Sequence, residues 1–249
     1  DDLMICRFAC VAFMVVCAAP AAFSQTTING SSGRKQAAAM RVLNGSIRVD
    51  GRLDDEVWQK ATPITDFIQK EPTEGAAPTD AMEVRLAYDD DAVYVGARMH
   101  SRDGRIQAPL GRRDNTDQAE HLLVSFDTFL DRRTAVVFGV TAAGVRIDRY
   151  HSSDTEDSFD SGFDPVWRAE TSVAGDQSTA ELWIPFSQLR FNPRTDQTWG
   201  LNLSRFRPTL DEADYWILIP RTVRAWTRAA ASPRGSPCRR SSRRRSPGT

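Results

Sequence analysis

Apolar residues recur at every second position along most of this chain, and that period restricts the fold more than any other feature of the sequence. Met82, Val84, Leu86 and Tyr88 alternate with Glu83, Arg85 and Ala87. After the acidic turn Asp89-Asp90-Asp91, Val93, Val95, Ala97 and Met99 alternate with Tyr94, Gly96 and Arg98. Such a pair is a hairpin with one face buried. The pattern returns at Leu122/Val124/Phe126, Val136/Phe138/Val140, Val145/Ile147, Trp167/Ala169/Thr171/Val173, Ala180/Leu182/Ile184, Trp199/Leu201/Leu203 and Tyr215/Ile217/Ile219. Roughly nine short strands, punctuated by turns such as Ala143-Gly144 and Ala174-Gly175-Asp176, predict an all-β fold: an antiparallel, jelly-roll-like β-sandwich.

One helix precedes the strands. Asp54 is placed to cap it, Asp55 and Glu56 suit its first turn, and Leu53 can staple onto Trp58. Pro63 stops it near Ala61. Pro185-Phe186-Ser187-Gln188-Leu189 reads as a single helical turn between strands.

The ends of the chain differ in kind from its middle. Arg7 precedes an apolar run from Phe8 to Ala19, and Ala22-Phe23-Ser24 supplies the small residues of a cleavage site, so residues 1–24 read as a secretory signal. Residues 25–45, polar and rich in Gly, Ser and Ala, read as a flexible linker, with order expected from Ile47. The sandwich is expected over 46–220, in a protein exported to the periplasm, the outer membrane or the medium. From Arg221 to Thr249 there are nine Arg and no acid, so the rest of the chain carries a net charge of -10 behind the overall -1. This tail is expected to be disordered. Its composition is also that of GC-rich DNA translated out of frame, which makes a frameshift or truncation near residue 220 the expectation. Clustered Arg would suit phosphate, but an exported chain is not expected to meet nucleic acid.

Several activities find no support in the residues. Three of the four Cys (Cys6, Cys10, Cys17) lie in the signal and Cys238 in the tail, so the sandwich holds neither a disulfide nor a thiolate nucleophile. His100, His121 and His151 lack the spacing of a zinc site. Nucleophile elbows, P-loops and dinucleotide fingerprints are absent from the sequence. Carboxylates are numerous enough for a glycosidase pair, but no two stand out. The chain is therefore not expected to be an enzyme. The acidic loop Asp154, Glu156, Asp157, Asp160 and Asp164 offers hard oxygen ligands, as do Asp127 and Asp131 on either side of Thr128-Phe129-Leu130. Asp127, Asp131, Asp160 and Asp164 are thus the candidate ligands, with calcium the candidate cation.

Five segments, IRVDGRLDDEVWQKA, VRLAYDDDAVYVGARMH, FDTFLDRRTAVVFGVTAAGV, AELWIPFSQLRF and QTWGLNLSRFRP, together resemble family 9 carbohydrate-binding modules over residues 46–220. They are more similar still to the version found at the N-terminus of large bacterial proteins whose C-terminal half resembles an outer-membrane barrel. The resemblance implies a β-sandwich that binds a polysaccharide or oligosaccharide without cleaving it, sometimes with structural calcium, and sometimes beside a barrel or a glycoside hydrolase. It also implies two Trp clamping a terminal sugar, with an acidic residue nearby. Trp226 matches the second clamp; Asp117 stands where the first would come, and Leu123 where the acid would come. Gly139 and Thr141 replace bulkier polar contacts. Trp167, after an acidic loop, is the best remaining stacking platform. The candidate sugar-binding residues are accordingly Trp167, Trp226, Asp117 and Glu120, while Trp58 and Trp199 are expected in the core. Without a sugar site, the runner-up role is a structural or docking domain for an attached barrel.

Overall fold

A computed structural model of the chain describes residues 35–221, apart from 117, 154–157 and 195. Two sheets face each other. The first runs β1 (Met40–Arg41), β3 (Met82–Tyr88), β4 (Ala92–His100), β9 (Gln177–Pro185) and β8 (Arg168–Ala174). The second runs β2 (Ile68–Glu71), β11 (Glu212–Tyr215), β10 (Gly200–Arg207), β5 (His121–Asp127), β6 (Ala135–Thr141) and β7 (Arg146–His151). Pairing is antiparallel throughout except between β1 and β3.

The alternation explains this register. Leu86 stands opposite Val95, and Val95 opposite Leu182, so one apolar row crosses three strands of the first sheet. Leu201, Phe126 and Val136 form the matching row of the second. Most side chains of these rows are almost completely buried, each worth about 1.5–3 kcal/mol on leaving water. The β3–β4 turn is fixed by Asp89, whose Oδ1 accepts the Asp91 and Ala92 amides at 2.8 Å and whose Oδ2 accepts the Tyr94 hydroxyl at 2.8 Å.

The helix α1 (Glu56–Lys60) lies where expected but begins later, with Asp55 rather than Asp54 at its N-cap position. The Asp55 carboxylate accepts the Arg48 amide at 2.9 Å and makes no capping bond to a helix amide. Residues 47–61 lie across the outer face of the first sheet, where Ile47, Leu53, Val57, Trp58 and Ala61 bury Ala87, Ala92 and Tyr94. Gly96 permits that approach: a Cβ there would sit 2.8 Å from Leu53 Cδ2 and Trp58 Cε3. Beneath the cover, buried Glu181 accepts the Trp58 indole at 2.6 Å and the Asp50 and Gly51 amides at 2.8 and 2.7 Å.

Three expectations need correction. Residues 35–45 are not all linker: Met40 and Arg41 pair with β3, and Lys35 Nζ donates to the Trp216 carbonyl at 2.6 Å. There are eleven strands rather than nine among the described residues, because β1 and β2 are too short to display a period. The last strand ends at Tyr215, four residues earlier than its apolar row suggested. Trp216 is in the core, 1% exposed, with its indole donating to Asp66 at 2.7 Å. Residues 1–34 and 222–249, holding the expected signal and most of the tail, lie outside the described residues, as does Trp226.

Candidate functional site

Of the two outer faces, the one on the six-stranded sheet carries the residues best suited to a ligand. Since Leu122, Val124 and Phe126 face the core, His121, Leu123, Ser125 and Asp127 face outward. Register sets Asn202 opposite Ser125, Ser204 opposite Leu123, Phe206 opposite His121 and Tyr215 opposite Ser204. Val137, Gly139 and Thr141 of β6 and Ile147 and Arg149 of β7 continue the face.

Its floor is part apolar, part polar. Leu123, Val137 and Ile147 pack together, and Gly139 lets them close: a Cβ there would lie 2.7 Å from the Leu122 carbonyl oxygen. Ser125 and Ser204 make up its polar part and are themselves buried, 5% and 7% exposed. Asn202 is structural, its Nδ2 donating to the Ile217 carbonyl at 3.1 Å and its Oδ1 accepting the Ile217 amide at 3.0 Å. The rim is aromatic and cationic. His121 and Phe206 lie with ring centroids 5.4 Å apart, the Lys70 ammonium stands 5.2 Å from the Tyr215 ring centre, and the Arg149 guanidinium stands 4.5 Å from that of Phe159.

Two groups on the face are shifted by their surroundings. Burial pushes Arg149 below the ordinary arginine range, and the charges of Asp114 and Tyr215 oppose that shift. Burial, helped by the Arg149 charge, pushes His121 down to about 4 against the pull of the Ala119 carbonyl. The ring is thus neutral at pH 7. Its Nδ1–H donates to that carbonyl at 2.8 Å, which leaves Nε2 as an acceptor.

The residues singled out in the sequence do not assemble here. Trp167 is corrected from platform to core: it is 1% exposed, stands edge-on to Phe138 at 5.3 Å and donates its indole to Asp148 at 3.1 Å. Glu120 is corrected from sugar ligand to internal ion-pair partner. It is 1% exposed, and its Oε1 accepts Arg205 Nε at 3.0 Å and Nη2 at 2.5 Å. Asp117 and Trp226 lie outside the described residues. Trp58 and Trp199 are buried as expected.

The four calcium candidates each have partners within the chain. Asp127 Oδ1 accepts the Asp131 amide at 3.1 Å and its Oδ2 the Arg132 amide at 2.7 Å, while Asp131 accepts the Arg133 and Thr134 amides at 2.8 Å. Both carboxylates cap their own turn. Asp160 accepts the Gly162 amide at 2.8 Å, and Asp164 pairs with Arg113. No three acidic or metal-binding side chains converge among the described residues.

Sequence reasoning missed Phe206 and misassigned Tyr215 to an apolar row. The signal for Phe206 was present in Asn202, Ser204 and Phe206, which alternate with Leu201 and Leu203. It was masked by Arg205 and Arg207, charged residues in the inward phase.

No known family profile and no curated protein matches the sequence. Solved structures do. A family 9 carbohydrate-binding module from Caldicellulosiruptor kristjanssonii in complex with glucose aligns with a TM-score of 0.56 at 14% identity, over 82% of this chain and 96% of that one. The same kind of module in complex with cellotriose aligns at 0.56 and 15% identity, over 86% and 100%. A protein from Bacteroides uniformis proposed to bind carbohydrate aligns at 0.63 and 11% identity, over 81% and 99%. This chain has the fold of the family 9 carbohydrate-binding modules. Identities this low carry the module fold and leave its site residues to be argued from the geometry above.

Proposed function

We propose that the protein is a non-catalytic carbohydrate-binding domain whose oligosaccharide lies on the outer face of the six-stranded sheet. One observation carries this reading. Strand register brings the partly exposed rings of Phe206, Tyr215 and His121 onto one outer face with Arg149. Sugars need that pairing of flat apolar faces, for their C–H edges, with donors and acceptors for their hydroxyls. The glucose- and cellotriose-bound neighbours support it. The described part of this face presents rings rather than a carboxylate pair for hydrolysis: both oxygens of Asp127 are held by amides.

Isothermal titration against xylo-, cello- and manno-oligosaccharides tests the reading. Removal of one stacking ring, by Phe206→Ala or Tyr215→Ala, is expected to weaken binding about tenfold. A folded protein that gives no heat with any of these sugars at millimolar concentration refutes it, and so does binding unchanged in both variants.

A second reading, a structural or docking domain without a ligand, draws on the apolar floor of Leu123, Val137 and Ile147 where an acid would serve a sugar better. It predicts silence in the same titration. In either case we place the domain outside the cytoplasm on the N-terminal sequence pattern alone.

A further inference from the structure

A sugar hydroxyl that leaves water must satisfy its own hydrogen as well as its oxygen, because a stranded donor is costly. Acceptors for that hydrogen are scarce among the described side chains of the six-stranded sheet. Arg149 and Lys70 only donate. Ser125 and Ser204 are buried, and Asn202 is taken up by the Ile217 backbone. Of the carboxylates on these strands, Asp127 accepts two amides, Glu71 pairs with Arg221, and Asp148, Glu212 and Asp214 are buried. The Tyr215 hydroxyl can donate or accept, so it discriminates little.

His121 differs from all of these. The Ala119 carbonyl can only accept, so the 2.8 Å contact at Nδ1 fixes the ring hydrogen there and makes Nε2 an obligate acceptor. Nε2 has no partner among the described residues, and the ring around it is only half-buried. Register sets this ring opposite Phe206, with centroids 5.4 Å apart. On the other side, across β6, stands the Arg149 guanidinium of β7, whose charge acts on the ring. The acceptor therefore lies between a stacking surface and a cationic donor. A pyranose stacked on an aromatic ring carries its equatorial hydroxyls around its edge, where such a pair can meet them.

We propose that His121 is the hydroxyl acceptor of the sugar site: a sugar unit stacked on Phe206 donates one hydroxyl hydrogen to His121 Nε2, while Arg149 donates to a sugar oxygen beside it. The assignment rests on the sugar-binding reading above and gives that site its polarity. Protonation of the ring would remove the acceptor, because an imidazolium donates from both nitrogens. Around the ring, β10 presents Phe206, β6 Thr141 and β7 Arg149. Tyr215 and Lys70 stand beyond Phe206 on β11 and β2, and Glu120 is paired with Arg205. Burial first, and the Arg149 charge with it, keep the ring neutral until pH falls to about 4.

Isothermal titration of the full chain with cellotriose, xylotriose and mannotriose, continued with variants on the tightest of the three, provides the test. His121→Phe keeps a flat ring without the acceptor and is expected to bind about tenfold more weakly. His121→Gln offers a carbonyl oxygen and is expected to stay within about threefold of the parent. Parent affinity is expected to fall as pH drops through about 4, in protein shown to be folded by circular dichroism, while that of His121→Phe stays level. As a second measurement on the unaltered protein, nitrogen-15 labelling of histidine is expected to show the His121 Nε2 resonance moving upfield on addition of the sugar, and Nδ1 moving less. Three results would each overturn the assignment alone in a parent that binds one of these sugars: His121→Phe binding within about twofold of it, a level affinity through pH 4 in folded protein, or an Nε2 resonance unmoved at saturation. A folded parent that binds none of the three would overturn the sugar-binding reading, and the assignment with it.

Discussion

Replacement of Glu181 by Ala is expected to be among the most damaging single changes to the domain, although the residue takes no part in binding. Its carboxylate sits 1% exposed on the outer face of the first sheet and accepts three N–H groups from the segment that covers it. Loss of the acceptor leaves the Trp58 indole and the Gly51 amide without partners in a site closed to water, while the Asp50 amide is less deeply enclosed. At about 1–3 kcal/mol for each stranded buried donor, the two inner donors cost about 4 kcal/mol together. For a domain of this size that lowers Tm by about 8–16 °C. Glu181→Gln is no rescue. One carboxylate oxygen serves the two amides and the other the indole, so the NH2 of Gln must face a donor on one side or the other. Trp58→Phe deletes one donor and keeps most of the ring. Its cost should fall by about 1 kcal/mol when measured in the Glu181→Ala background, because the bond it removes is already gone. Thermal and urea unfolding of the four proteins of this cycle settle the matter. Additive costs, or a Glu181→Gln variant as stable as the parent, would refute the role given to the carboxylate.

At Gly96 any side chain meets Leu53 and Trp58, so Gly96→Ala should destabilise by about 1–3 kcal/mol in urea unfolding, and less in a Leu53→Ala background. Asp214 is pushed up from the ordinary aspartate range to about 7, by burial first and by Glu212 second. A raised folded value stabilises fully below the unfolded pKa and is lost as pH rises through the folded one. Asp214→Asn should therefore gain stability relative to the parent between pH 4 and 8, by up to about 1.4 kcal/mol per pH unit over the titration, and a flat difference would refute this. Neutral His121 predicts that sugar affinity changes little between pH 5.5 and 8, to be checked by titration calorimetry.

How far the sequence could be read depended on whether a residue obeyed the period of its strand. The β3–β4 hairpin and strands β5 to β9 announce themselves by alternation, and the structure keeps them within a few residues. Strands β1 and β2, two and four residues long, lie at sheet edges and show no period. Arg205 and Arg207 point inward and are fully buried, because Glu120 and Asp80 meet them there. In sequence, charged residues in an inward phase look like the end of a strand. That misreading hid Phe206 on the other face. It also moved the next strand forward, so that Tyr215 was placed in a row with Ile217 and Ile219. Trp167 failed as a platform for a related reason. A Trp after an acidic loop looks exposed, and the buried acceptor that seats its indole, Asp148, is 19 positions away.

The contrast between the two outer faces bears on where a ligand can go. On the first sheet, outward positions hold Gly96, Ala87 and Ala92, and the cover of residues 47–61 presses Trp58 and Leu53 onto them. Glu181 then takes up the cover's own amides. That face is complete within one chain, and a ligand would have to displace a segment anchored by three hydrogen bonds. On the second sheet the outward small residues are Gly139, Ser125 and Ser204, yet the neighbours that close over Gly139 belong to the sheet itself, Leu123 and Ile147. The rings of Phe206, Tyr215 and His121 stand partly exposed around that floor. A sandwich that filled both outer faces in the same way would have nowhere to hold a sugar; this one seals one face with its own chain and leaves partly exposed rings along the other.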